Sequence, residues 1–84
     1  MAKVVVYTSQ WCPYCVQAKA LLQHKGVRFD EIDVSSDDDL RMKMIEESGR
    51  RTVPQNFIND VPIGGYDELR AREEQGELDR LLAA

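Results

Sequence analysis

Long apolar runs are missing from this chain. Nothing in its 84 residues approaches the roughly 18 consecutive apolar side chains that a membrane-crossing helix needs, so no membrane partner is expected. Clustered basic charge is missing too. Lysine and arginine number 11 against 15 Asp and Glu, for a formal net charge of −4. The only adjacent basic pair, Arg50-Arg51, is too small a footprint for nucleic acid. Glycine and proline are scarce, at 5 and 3 residues, which excludes collagen-like and disordered chains. With only two cysteines, the chain is no disulfide-stapled scaffold. Behind Lys3 there is no apolar segment or small-residue cleavage site of the kind a secretory signal carries, and the cytoplasm is the expected location.

What is present is an ordinary globular composition, 43% apolar and 31% charged. The length fits one domain over residues 1–84, near the lower limit of a self-supporting core. In a reducing compartment, two cysteines separated by two residues point to catalysis or metal binding before a structural bridge.

These cysteines fall where the residue pattern changes. Residues 3–8 are β-branched and aromatic without alternation, the pattern of a strand covered on both faces. Residues 9–12 read as a loop. Pro13 suits the first turn of a helix, where its missing N–H would lack a partner anyway. Cys15, Ala18, Leu21 and Leu22 share one face of that helix, leaving Gln17 and Lys19 to water. His24 sits in the last turn as a surface complement to the helix dipole, and Gly26 ends it. Residues 27–33 alternate, which predicts a second strand with one buried face. Strand, helix, strand is a right-handed βαβ unit.

Ser35-Ser36 followed by Asp37-Asp38-Asp39 reads as a helix start and not as a calcium loop, whose glycine and glutamate spacing is absent. Leu40, Met44 and Ile45 form the apolar face of this helix and Gly49 ends it. The methionines Met1, Met42 and Met44 read as terminus and helix packing, not as metal ligands. Residues 50–54 form a loop. Two strands then flank an Asn59-Asp60 hairpin turn, and Pro62 makes the last strand an edge. A third helix opens at Tyr66-Asp67-Glu68-Leu69. Gly76 interrupts it, and Leu78, Leu81 and Leu82 give a short closing helix.

The order β-α-β-α-β-β-α predicts an α/β fold, a four-stranded mixed sheet flanked by helices. If the third strand runs antiparallel to the first, the loops at residues 9–12, 51–54 and 64–67 converge on one edge of the sheet. Ligands of open α/β sheets gather at such places.

Cys12 at a helix N-terminus meets unpaired N–H groups and the positive end of the dipole. Such placement lowers a thiol pKa from about 8.5 to roughly 3.5–7.5. Cys15, one turn inside, keeps a higher pKa and can attack a mixed disulfide on Cys12. A structural zinc needs four ligands, and only His24 remains, at the far end of the helix. Trp11 reads either as packing at the rim of the site or as part of a substrate surface.

Cys12-Pro13-Tyr14-Cys15, then Thr52-Val53-Pro54, then Gly64-Gly65-Tyr66-Asp67, all in register, resemble the dithiol glutaredoxins over essentially the whole chain. The resemblance implies the thioredoxin fold, with Pro54 cis and facing the cysteines. It implies glutathione as co-substrate and no metal, with Cys12 as the nucleophile that becomes glutathionylated and Cys15 as the resolving thiol. Tyr14, Thr52, Val53 and Pro54 would line the glutathione groove, the Val53 backbone pairing with the tripeptide by strand addition. Gly65, Tyr66 and Asp67 would hold the γ-glutamyl end, Asp67 doubling as a helix N-cap. Arg41 and one of Arg50 or Arg51 are candidates for the glycyl carboxylate.

Implied partners are disulfide-bearing or glutathionylated proteins, ribonucleotide reductase among the candidates, served by a monomer. One alternative is a hydrogen donor reduced by thioredoxin reductase, against which the Gly-Gly-Tyr-Asp segment argues. Another is an iron–sulfur carrier or sensor built from two Cys12 and two glutathiones, in which Pro13 and its bulky neighbour would crowd the shared site. Two positions depart from the family pattern. Ser9 stands where many members carry lysine, leaving the helix N-terminus as the main cause of a lowered Cys12 pKa. Trp11 stands where a small polar residue is commoner.

Overall fold

The computed structural model describes residues 2–84, so the expectation for Met1 lies outside the described residues. The elements run β1 (Val4–Thr8), α1 (Pro13–His24), β2 (Asp30–Asp33), α2 (Asp38–Ser48), β3 (Gln55–Ile58), β4 (Val61–Gly64), α3 (Tyr66–Glu74) and α4 (Leu78–Ala83). They build a four-stranded sheet in the order β2-β1-β3-β4. The β1–β2 pair is parallel, while β1–β3 and β3–β4 are antiparallel. This is the mixed sheet with helices on both faces that the element order predicts.

The unalternating strand β1 is central, and its two faces feed two cores. Val4 and Val6 pack with Ala18 and Leu22 of α1, Leu69 of α3, and Leu78 and Leu82 of α4. Tyr7 points the other way, toward Val34, Met44 of α2 and Phe57, meeting the Phe57 ring edge-on at 5.6 Å between centroids. Pro62 lies on the edge strand β4, where its missing N–H interrupts no second ladder. The hairpin turn places both Asn59 (φ 50) and Asp60 (φ 65) in the left-handed region, the geometry that matches strand twist in a two-residue loop.

Two details differ from the sequence pattern. The second strand begins at Asp30 and not at residue 27. Gly26 adopts φ 74 and the Val27 N–H turns back to the Leu22 carbonyl, so Val27 belongs to the exit of α1. Val27 and Phe29 then tuck against the core under that helix, which produces alternation without a ladder. The second helix is capped by a carboxylate and not by a serine. Asp37 accepts the Leu40 N–H at 3.0 Å. The Ser35 hydroxyl instead accepts the Gln10 N–H at 2.7 Å, tying the loop before Cys12 to the β2–α2 connection.

Candidate functional site

The parallel β1 ends at Thr8, and the chain reaches α1 through residues 9–12. Cys12 is the N-cap of α1, as the position of Pro13 predicts. The two cysteines are joined as a disulfide with their Cα atoms 5.2 Å apart. Their surroundings differ. Cys15 is 2% exposed, whereas Cys12 is half-buried and open to an incoming sulfur. The Cys15 N–H points at Cys12 Sγ from 3.1 Å. Once the disulfide is reduced, that donor favours the thiolate of Cys12 over the thiol.

Because β3 runs antiparallel to β1, its start lies beside the end of β1. The segment leading into β3 therefore stands against the cysteines. Cys12 Sγ lies 3.8 Å from the Val53 carbonyl oxygen, and the Val53–Pro54 peptide bond is cis. Beyond Val53 opens a groove of about 270 Å³, lined by Tyr14, Arg50, Thr52, Val53, Pro54, Gly65, Tyr66, Asp67 and Glu68. The Tyr14 and Tyr66 rings stack across it with centroids 6.3 Å apart. One end is the start of α3, whose first backbone N–H groups have no intrahelical partner and form a ready anion site. Arg50 brings a positive charge to the same groove. Arg51 is exposed, and neither it nor Arg41, half-buried on α2, lines the groove.

The glutaredoxin family profile matches residues 4–63. The chain belongs to the glutaredoxin family. It is 49% identical over 84 residues to a glutaredoxin of Pseudomonas aeruginosa, with all of both chains covered. It is 51% identical over 82 residues to glutaredoxin 3 of Escherichia coli K12, covering 98% of this chain and 99% of that one. A crystal structure of a buckwheat glutaredoxin–glutathione complex superposes with a TM-score of 0.89 at 32% identity, over 98% of this chain and 77% of the other. The sheet and its flanking helices are thus the thioredoxin fold of the glutaredoxins. A thiol–disulfide redox role for the Cys12–Cys15 pair comes with membership of the family.

In this glutaredoxin the groove is braced by three residues to which the motifs assign no role. Asp67 is not the N-cap of α3; Gly65 is, and the side chain that caps it is Glu68. Glu68 Oε1 accepts the Gly65 N–H at 2.7 Å and the Arg50 Nη1 at 2.6 Å. Arg50 first, and the Gly65 N–H second, hold the Glu68 carboxyl below its ordinary pKa. Gly64 leaves room for this contact. At φ 116, a Cβ there would stand 2.8 Å from Glu68 Cγ and Oε1. From beneath, the buried Asn56 Nδ2 donates to the Gly64 carbonyl at 2.9 Å and the Gly65 carbonyl at 3.3 Å. Gln55 Nε2 donates to the Thr52 carbonyl at 2.9 Å. The strand β3 thus fixes both groove walls through two side-chain amides.

The sequence carries a signal for only some of this. Glutamate three residues after Gly65 is the spacing of a capping box, and an amide inside a buried strand implies a specific hydrogen bond. Nothing local announces the Arg50–Glu68 pair. Among the described residues, no group of three or more His, Cys, Asp or Glu side chains is arranged to hold a metal ion. None of the described helices is long and apolar enough to cross a membrane.

Proposed function

We propose that this glutaredoxin is a glutathione-dependent oxidoreductase that reduces glutathione mixed disulfides and protein disulfides. One observation carries the reading. The groove beside Cys12 brings together the Val53 backbone, the Tyr66 and Asp67 N–H groups that open α3, and the Arg50 guanidinium, which Glu68 holds by one nitrogen. Glutathione has a cysteinyl centre between two carboxylate-bearing ends. In this reading the Val53 backbone pairs with the cysteinyl main chain, as in strand addition. Thr52 and Pro54 form the wall behind it, and Tyr14 and Tyr66 flank it. Within Gly65-Tyr66-Asp67, whose Gly65 N–H is taken by Glu68, the Tyr66 and Asp67 N–H groups face the γ-glutamyl carboxylate, and Asp67 faces its ammonium. Arg50 takes the glycyl carboxylate. Arg41 has no part in this arrangement. A reducing compartment such as the cytoplasm is the natural setting.

The chemistry is a pair of exchanges. The Cys12 thiolate attacks the glutathione sulfur of a mixed disulfide. A Cys12–glutathione disulfide forms and the protein thiolate leaves. A second glutathione thiolate then attacks the bound glutathione sulfur, releasing Cys12 and forming glutathione disulfide. For a protein disulfide, Cys12 attacks first and Cys15 displaces the reduced substrate. Two glutathiones then reduce the Cys12–Cys15 disulfide.

The test is turnover of a small glutathione mixed disulfide with glutathione as the only reductant. Sustained turnover is expected. Turnover that requires the flavoprotein thioredoxin reductase would overturn the reading. Glu68→Ala is expected to release Arg50 and the Gly65 N–H together. The KM for the mixed disulfide should then rise about two- to tenfold, the scale of one net hydrogen bond. The kcat should not change, because Glu68 touches neither sulfur. Steady-state kinetics separate the two parameters, and a fall in kcat at constant KM would contradict this role.

A further inference from the structure

Trp11 has no place in the glutathione groove. It is the only tryptophan in the chain and immediately precedes the nucleophile, yet it is 96% exposed. Its backbone lies at φ 58, a region that bulky side chains rarely occupy. Packing at the rim is therefore ruled out as its role. An aromatic side chain thus stands in water, on a backbone that favours glycine, beside the reactive sulfur. Strain of this kind clusters at sites that contact other molecules.

The exposed ring borders a second groove of about 540 Å³. It shares no lining residue with the first; Cys12 lines this second groove, and its sulfur lies 3.8 Å from the carbonyl oxygen of Val53, which lines the first. Trp11 and Val16, itself 62% exposed, give this groove an apolar border. Lys19, Glu31 and Asp33 also line it. Lys19 is already paired with Glu31 at 3.0 Å, so the set carries one surplus negative charge. Both carboxyls are held below their ordinary pKa, Glu31 chiefly by the Thr8 hydroxyl and Asp33 chiefly by Ser35, and both are ionised at neutral pH. The chain as a whole carries −4, which favours encounter with basic partners.

We propose that this second groove docks the polypeptide of a disulfide-bearing protein substrate. The substrate sulfur lies at Cys12, an apolar side chain lies on Trp11 and Val16, and a lysine or arginine lies at Asp33 and Glu31. The proposal rests on the reading of Cys12 as the nucleophile. The Cys12 thiolate bonds to one sulfur of the substrate disulfide while the other sulfur leaves as a thiolate. The Cys15 thiolate then attacks Cys12 Sγ and expels the second substrate thiolate. The cysteine pair is oxidised, the substrate disulfide is reduced, and glutathione restores the pair.

Two synthetic disulfide peptides test the assignment. They are identical except that an arginine two residues from the reactive cysteine and its leucine neighbour is replaced by glutamate. The wild type should reduce the arginine peptide at least fivefold faster, in kcat/KM, than the glutamate peptide. Trp11→Ala should slow the arginine peptide about fivefold and leave turnover of the small glutathione mixed disulfide within twofold. Asp33→Asn should narrow the arginine-over-glutamate preference. When the Cys15→Ser protein is trapped with the arginine peptide, fluorescence of the single tryptophan should shift to the blue.

Equal rates for the two peptides would overturn the proposal, and so would Trp11→Ala slowing peptide and small substrate alike. A blue shift that follows protein concentration without peptide would assign the surface to a second copy of this chain and overturn it as well. Failure of the wild type to turn over the small mixed disulfide sinks the glutathione reading. Success there with no peptide effect sinks only the docking surface.

Discussion

Cys12→Ser is expected to reduce turnover of glutathione mixed disulfides and of protein disulfides to the uncatalysed background. Cys15→Ser should keep the first activity and lose the second. The asymmetry follows from where the two sulfurs sit. Cys12 is at the helix start, half-buried and next to Val53, and it is the sulfur an external disulfide meets. A serine hydroxyl there neither ionises near neutral pH nor forms a disulfide, so no residual path remains. Cys15 is 2% exposed and reaches a substrate only through Cys12. The donor aimed at Cys12 Sγ is the backbone N–H of residue 15, and it survives the Cys15→Ser change. The thiolate of Cys12 therefore keeps that support in the single-thiol variant. Parallel steady-state assays on the two substrate types check both statements. Robust turnover by the Cys12→Ser protein would contradict them.

Leu69→Ala is expected to destabilise the fold by about 2–5 kcal/mol. Leu69 is fully buried in α3 and packs in one cluster with Val6, Leu22 and Leu78. Its removal leaves a cavity where α3 meets the sheet and α1. Domains are stable by only about 5–15 kcal/mol in total, and one this small sits toward the low end. At about 4–8 °C per kcal/mol, the melting temperature should fall by roughly 8–40 °C. The same helix carries Asp67 and Glu68, so glutathione affinity should weaken before global unfolding. Denaturant titration measures the loss, and a value under about 1 kcal/mol would contradict this packing.

Much of the frame is legible in the residues because local pattern and tertiary role agree. Unbroken β-branched residues at Val4, Val5 and Val6 mark a central strand, Pro13 a helix start, and Pro62 an edge. The glutaredoxin motifs bring Tyr14, Val53 and Asp67 to the same groove across long separations. What escapes is set by tertiary contacts. Val27 and Phe29 alternate with polar neighbours because they tuck under α1, not because they pair in the sheet. Arg41 offers the right charge, but its helix does not reach the groove wall. Asp67 has a capping residue type, yet the backbone puts Gly65 at the cap and Glu68 on it. Glu68 and Asn56 act on Gly64 and Gly65 only because the hairpin and α3 bring them there. The exposure of Trp11 depends on a backbone angle that no residue pattern specifies.

The most direct test of the proposal that this groove binds glutathione is a map of amide chemical shifts in the Cys15→Ser protein. Spectra are compared before and after one glutathione is attached to Cys12. The largest changes beyond Cys12 itself are expected at Thr52 and Val53 and at Gly65, Tyr66 and Asp67, with Arg41 unmoved. Changes centred instead on the groove bordered by Trp11 and Lys19, or attachment of glutathione at a position other than Cys12, would contradict it.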